Sequence, residues 1–162
     1  MRILYIDLHG LLYSFQYLQK AELLSSFQSQ MPFHTRNALL NSVAHDSEGA
    51  KRLAEAASEA SLLLYPICGG YTRDLLVKHN IFAESQLAPY IDLTLRMRPD
   101  DNDAVRQLIV HACALNADHW YVCGDITCDE RFESFPGRTL TSRFEDGFSD
   151  ELISKILATK VL

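Results

Sequence analysis

No apolar run in this 162-residue chain approaches the roughly 18 residues that a membrane span requires, so no transmembrane segment is expected. The opening residues are too brief, and at Asp7 too acidic, for a signal peptide. Paired thiol motifs are missing as well. Cys68, Cys113, Cys123 and Cys128 show no C-x-x-C spacing, which argues against a zinc ribbon or a disulfide framework. Reduced thiols in a cytoplasmic protein are the expectation. Basic residues are outnumbered, 15 Lys and Arg against 21 Asp and Glu, and the net charge of -6 leaves no broad surface for a nucleic-acid backbone. A small phosphorylated ligand needs only a few local donors and is not excluded. Internal repeats and low-complexity linkers are also lacking. With 48% hydrophobic residues, the whole of 1–162 is expected to form one domain around one core.

What is present alternates between two periods. Ile3-Leu4-Tyr5-Ile6 reads as a buried strand that ends on an acid, Asp7. Residues 14–60 have helical character, with Phe15, Leu18, Leu23, Leu24 and Phe27 close to one stripe. A break is expected at Met31-Pro32, then a helix capped by Thr35, then another capped by Asp46 or Ser47. Residues 62–67 (LLLYPI) form the second strand, followed by a short helix that Asn80 can end in a left-handed turn. Residues 90–97 (YIDLTLRM) are expected as a third strand. The segment PDDNDAVRQLIVHACALN is the clearest helix, with an acidic first turn and an inner face of Val105, Leu108, Ile109 and Ala112. HWYVCGD is a fourth strand ending on Asp125, GRTLTS a fifth, and SDELISKILATKVL a capped terminal helix. Strands alternating with helices predict an α/β fold: a mostly parallel sheet, three layers, Rossmann-like. Ligands in such folds gather at the carboxyl ends of the strands, where two of these strands place an Asp.

Two carboxylates at one sheet edge repel unless something positive lies between them. Mg²⁺ is the usual solution, since it prefers oxygen ligands and keeps waters for a substrate phosphate. A carboxylate there can also attack phosphorus and form an aspartyl-phosphate. Asp129, in GDITCDE, follows Asp125 closely enough to return toward the same place.

YIDLHG, LLLYPI, RPDDNDAV and YVCGDITCD stand in the order and approximate spacing of the haloacid dehalogenase (HAD) superfamily, which this chain resembles. The ending TLTSRFEDGFSDELISKIL looks most like the HAD domains of Swiss Army Knife RNA repair proteins. The resemblance covers most of the chain, while residues 14–60 match in length and helical character alone. It implies a HAD-like fold and Mg²⁺-dependent hydrolysis of a phosphorylated small molecule or a nucleic-acid end. By position it implies Asp7 as nucleophile and metal ligand, with the backbone carbonyl of His9 as a further ligand. Asp125 and Asp129 would complete the Mg²⁺ site, and Arg98 would steady phosphate and nucleophile.

The motifs also depart from the family. His9 stands where the second acid of the first motif is expected, and an imidazole could take over its proton transfer. The phosphate-binding Ser or Thr after the second strand is missing; Cys68 sits near that place and Thr72 follows. Two readings therefore stay open: a Mg²⁺-dependent phosphatase, and a catalytically inactive HAD-like module that binds a protein partner or a phosphorylated ligand. Each residue also has a plainer reading. Asp7 could be a helix cap, Asp129 and Glu130 could cap the next helix, and His9 could be an ordinary polar neighbour. His111 fits a packed or surface position, and His34, His45, His79 and His119 show no ligand spacing. Cys123 and Cys128 straddle the acidic site without demanding a redox role, Arg96 and Arg98 could be solvated, and Trp120-Tyr121 fits a core.

Overall fold

The structure is a computed structural model that describes residues 1–30 and 35–161. The break expected at Met31-Pro32, and His34, lie outside the described residues. The first strand, β1 (Arg2–Ile6), leads through α1 (His9–Leu12), α2 (Phe15–Lys20), α3 (Leu24–Gln30), α4 (Arg36–Ser42) and α5 (Ser47–Glu59) to β2 (Leu63–Pro66). Then come α6 (Arg73–Lys78), α7 (Ala104–Ala114), β3 (His119–Cys123), β4 (Thr139–Leu140) and α8 (Asp150–Ala158). The strands form one four-stranded sheet in the order β2-β1-β3-β4. All its pairings are parallel, with Ile6 opposite Pro66 on one side and Cys123 on the other.

The continuous apolar run of β1 has a direct cause. Ile3, Leu4, Tyr5 and Ile6 are each at most 1% exposed, because both faces of the strand are covered. Leu4 and Ile6 join a core with Leu53 of α5 and with Leu152 and Ile156 of α8. Ile3 and Tyr5 point into a second core with Leu108 and Ala112 of α7, Val122 of β3, and Phe132. Helix, sheet and helix make three layers. The chain first crosses from β1 to β2 over one face, then returns over the other face and passes β1 to reach β3. The strand order therefore reverses between β1 and β3. A crevice opens at such a switch point, because the loops leaving the two strands diverge to opposite faces.

Side-chain caps set the helix starts as expected. Thr35 accepts from Ala38 N at 3.2 Å, Asp46 from Gly49 N at 2.9 Å, and Ser149 from Leu152 N at 3.2 Å. Asn80 follows α6 in the left-handed region at φ 54°. The acids before α7 precede the helix, with Asp103 as its cap.

One strand expectation needs correction, and another is met by a shorter strand. Residues 90–97 form a loop, in which Arg96 N and Met97 N both donate to Leu93 O at 2.8 Å and Leu95 is 98% exposed. The chain does touch the sheet edge just before. Leu87 bridges to Leu64, and Ala88 N donates to Leu64 O at 2.8 Å. The next bond of this ladder would run from the N–H of residue 66 to Ala88 O, and Pro66 has no N–H to give, so the edge pairing stops there. The fifth expected strand is the two-residue β4. The helical stripe in 14–60 is also interrupted, because Glu22, at φ 59°, separates α2 from α3. Among the described residues, no helix is long and apolar enough to cross a membrane.

Candidate functional site

Asp7 is the first residue past β1, and its backbone still belongs to the sheet, with Asp7 N donating to Cys123 O at 3.0 Å. Its side chain does not cap α1, whose N-cap is Leu8. Instead Asp7 Oδ2 accepts from Ile126 N at 3.0 Å, across the switch-point crevice. Ile126 lies in the 3₁₀ turn Asp125–Cys128, which begins two residues after β3. The loop after β2 also comes close, since a Cβ on Gly69 would lie 3.8 Å from Asp7 Oδ1, and burial followed by the Asp7 charge raises the pKa of the neighbouring Cys68 thiol. The carboxylate thus lies between the two neighbouring strand ends, bonded to the turn after β3 and close to the loop after β2.

Two glycines let the acidic motifs approach each other. Gly124 has φ 98°, and a Cβ there would lie 2.4 Å from Asp7 O and 2.8 Å from Asp7 Cβ. A Cβ on Gly10 would lie 2.8 Å from Asp125 Oδ2. The glycine of each motif makes room for the acid of the other. The Asp125 carboxyl is pushed above the usual range, first by burial and then by the negative charge of Asp7. The two carboxylates offer oxygen donors to one crevice. They fit Mg²⁺, which is commonly held through one or two carboxylates while keeping several waters.

His9 stands near Asp7, since a Cβ on Gly69 would lie 3.7 Å from His9 Cβ and 3.8 Å from Asp7 Oδ1. Its Nδ1 is 3.0 Å from the Tyr71 hydroxyl, and its ring packs against Tyr13, Phe27 and Tyr71 with centroids about 6 Å apart. Burial, then the positive charge of Arg36, lower its pKa to about 4, so the imidazole is neutral at pH 7. The His9 carbonyl accepts from Tyr13 N at 3.1 Å, inside the first helical turn. Arg36 Nε donates to Gly69 O at 2.6 Å, and its guanidinium lies 5.6 Å from the centre of the Tyr71 ring. This ties the start of α4 to the loop after β2.

The remaining expected site residues are placed differently. Asp129 caps the 3₁₀ turn Glu130–Ser134, and its Oδ2 lies 2.7 Å from Arg131. Arg131 holds its carboxyl well below the usual range, at about 2. Among the described residues, no three His, Cys, Asp or Glu side chains gather into a metal-binding group. Arg98 is 83% exposed in its side chain and pairs with Asp100 at 3.5 Å. Cys68 stands at φ 49°, and burial followed by the charge of Asp7 pushes its thiol up, so it is a donor and not a thiolate nucleophile. Thr72 caps α6 by accepting from Leu75 N at 3.2 Å. Cys68, Thr72 and Arg98 all line a cavity of about 450 Å³ beside the crevice. Of the plainer readings, His111 is packed, at 2% exposure.

Sequence reasoning did not single out Gly10, Gly124, Tyr71 or Arg36. The glycines had a visible signal, since each stands within three residues of a strand-end acid. Tyr71 and Arg36 had none, because their roles depend on where two distant loops meet. No family model matches this chain, and comparisons with the curated proteins and the solved structures found no match.

Proposed function

We propose that this chain is a HAD-like, Mg²⁺-dependent phosphohydrolase of the cytoplasm, with Asp7 as its nucleophile. Its substrate would be a phosphorylated small molecule or a nucleic-acid end. The observation that carries the reading is the placement of Asp7 and Asp125 across the switch-point crevice, each accommodated by the other motif's glycine. A carboxylate oxygen of Asp7 attacks phosphorus, and the bond from phosphorus to the ester oxygen breaks. The departing alkoxide takes a proton from solvent water. A second water then attacks phosphorus, giving its proton to a base, and inorganic phosphate leaves as the Asp7 carboxylate is restored. His9, neutral at pH 7, can be that base but cannot be the acid of the first step. Mg²⁺ between Asp7 and Asp125 would supply positive charge for the phosphate oxygens.

A second reading rests on the aromatic wall around His9 and on Asp129 being occupied by Arg131. Both favour a module that binds a protein partner or a phosphorylated ligand without cleaving it. Hydrolysis of an aryl phosphate with Mg²⁺ separates the two. We expect turnover by the parent, abolished in Asp7→Asn. His9→Asp restores the carboxylate that the family carries at this position, and we expect it to raise the rate at neutral pH. If parent and His9→Asp are both inert over a panel of phosphate esters, the binding module is the better account.

A further inference from the structure

The cavity beside the crevice has an interior unlike its rim. Its floor is built of rings from the second core. Tyr65 stacks on His111 with centroids 3.9 Å apart, and meets Tyr5 edge-on at 5.9 Å. Both His111 nitrogens are engaged. Nε2 donates to Pro89 O at 3.0 Å, so Nδ1 is left to accept from the Tyr5 hydroxyl at 2.7 Å. The floor therefore presents ring faces and edges and no unused imidazole donor. Leu108, Ile91, Leu93 and Met97 supply aliphatic walls.

Charged groups at the rim are already paired or bonded. Asp101 is held by Arg106 at 2.8 Å, Asp92 accepts from Thr94 N at 3.0 Å, and Arg98 faces Asp100. Tyr90 stands at the mouth with 66% of its surface exposed, free to lie against a guest. One wall is the loop that follows β2, where Cys68 lines the cavity and a Cβ on the next residue, Gly69, would lie 3.8 Å from Asp7 Oδ1. A group filling the cavity is thus one residue away from the proposed nucleophile.

We propose that this cavity receives an uncharged planar aromatic ring system, which makes the preferred substrate a phosphomonoester of nucleoside size. An uncharged ring gains from apolar walls and aromatic faces, and the hydroxyls of Thr72 and Tyr90 at the edge can meet its heteroatoms. A polyol or an ionised group entering the same space would lose its water without gaining matched partners. The volume of about 450 Å³ is in the range of pockets that enclose a small organic ligand. The inference extends the phosphohydrolase reading, since it assigns the leaving group's position relative to Asp7, but the ring-binding part stands without turnover.

Adenosine 5′-monophosphate and ribose 5-phosphate share one leaving alcohol and differ by the base, so comparing them isolates the cavity. We expect kcat/KM at least about tenfold higher for the nucleotide, and a loss of most of that preference in Tyr90→Ala, an exposed position that leaves the core intact. Binding of adenosine itself, followed by saturation transfer from the protein to the purine protons, reads the cavity without any phosphate. We expect transfer to adenosine, reduced when Met97→Trp fills the cavity, and none to ribose. Equal kcat/KM values for the two esters, or no transfer to adenosine, would overturn the inference even if phosphatase activity is found. Transfer to adenosine with no turnover of any ester would uphold the ring site and overturn the hydrolase reading alone.

Discussion

At Gly124 the backbone takes φ 98° while passing against Asp7, so two independent penalties meet at one residue. Any L side chain there would be strained in conformation and would overlap Asp7 O. We expect Gly124→Ala to destabilise the fold by at least about 2 kcal/mol in chemical denaturation, within the range for strain at such positions. Asp125 makes the opposite case. Its carboxyl is raised by burial and by Asp7, so the folded state disfavours its ionised form. The penalty is absent at pH values below the unfolded pKa and sets in as pH rises through the folded one. Asp125→Asn should therefore melt higher than the parent at pH 7 without divalent ions, and the difference should vanish in acid. A variant that melts lower than the parent at pH 7 would mean that Asp125 is held by stabilising contacts instead of repulsion. His9 has the reverse sign, because burial and Arg36 lower its pKa to about 4. Its contribution is full above about pH 6.5, the ordinary imidazole value, and is lost as pH falls through 4. Subtracting the melting curves of His9→Asn from those of the parent over this interval isolates that loss from those of His45 and His111, which burial also lowers.

Elements were legible wherever one local signal set them. The caps at Thr35, Asp46 and Ser149 and the left-handed Asn80 are of this kind, since the side chain that stops or starts the helix lies within a turn of it. The loop at 90–97 was not legible, because its composition is strand-like while its fate is decided on the edge it would join, where Pro66 of β2 has no N–H to meet Ala88 O. Asp103 shows how a cap can acquire a second task. It accepts from Arg106 N at 3.0 Å and from Arg131 at 2.6 Å, which joins α7 to the turn that carries Asp129. Asp103→Ala should lose both bonds and cost about 1 kcal/mol or more, in the usual range for a lost cap. Asp103→Asn should keep the cap and recover most of the loss, because the ion pair with Arg131 is partly exposed and such pairs contribute little. Equal destabilisation by the two changes would show the Arg131 pair to dominate.

Over the whole molecule, the alternation of strands and helices predicts a parallel sheet with two covered faces, and the structure has one. The strand order is another matter. Nothing local to YIDLHG or YVCGD says that β1 and β3 are neighbours with the chain reversing between them, yet that adjacency brings Asp7 and Asp125 together. The pair was legible as two strand ends, and its closeness depends on topology. Asp129 and Arg98 show the limit of reading by position, since each has a nearer charged neighbour, Arg131 and Asp100 respectively.

A metal at the pair has a thermodynamic signature that does not require turnover. Apposed carboxylates bind a hard cation more readily in the folded chain than in the unfolded one, where they are far apart, so the cation stabilises the fold by mass action. At a Mg²⁺ concentration 100 times its Kd the gain is about 2.7 kcal/mol. For a domain of this size that corresponds to a rise in Tm of several degrees, on the order of the usual shift per kcal/mol. Asp125→Asn removes one ligand and the repulsion together, so its melting curve should start higher than the parent's without Mg²⁺ and move little when Mg²⁺ is added. Asp129→Asn should leave the parent's response to Mg²⁺ intact, because that carboxylate is already engaged by Arg131. A parent whose melting curve is the same with and without millimolar Mg²⁺ has no working site at Asp7 and Asp125, and the phosphohydrolase reading would fall with it.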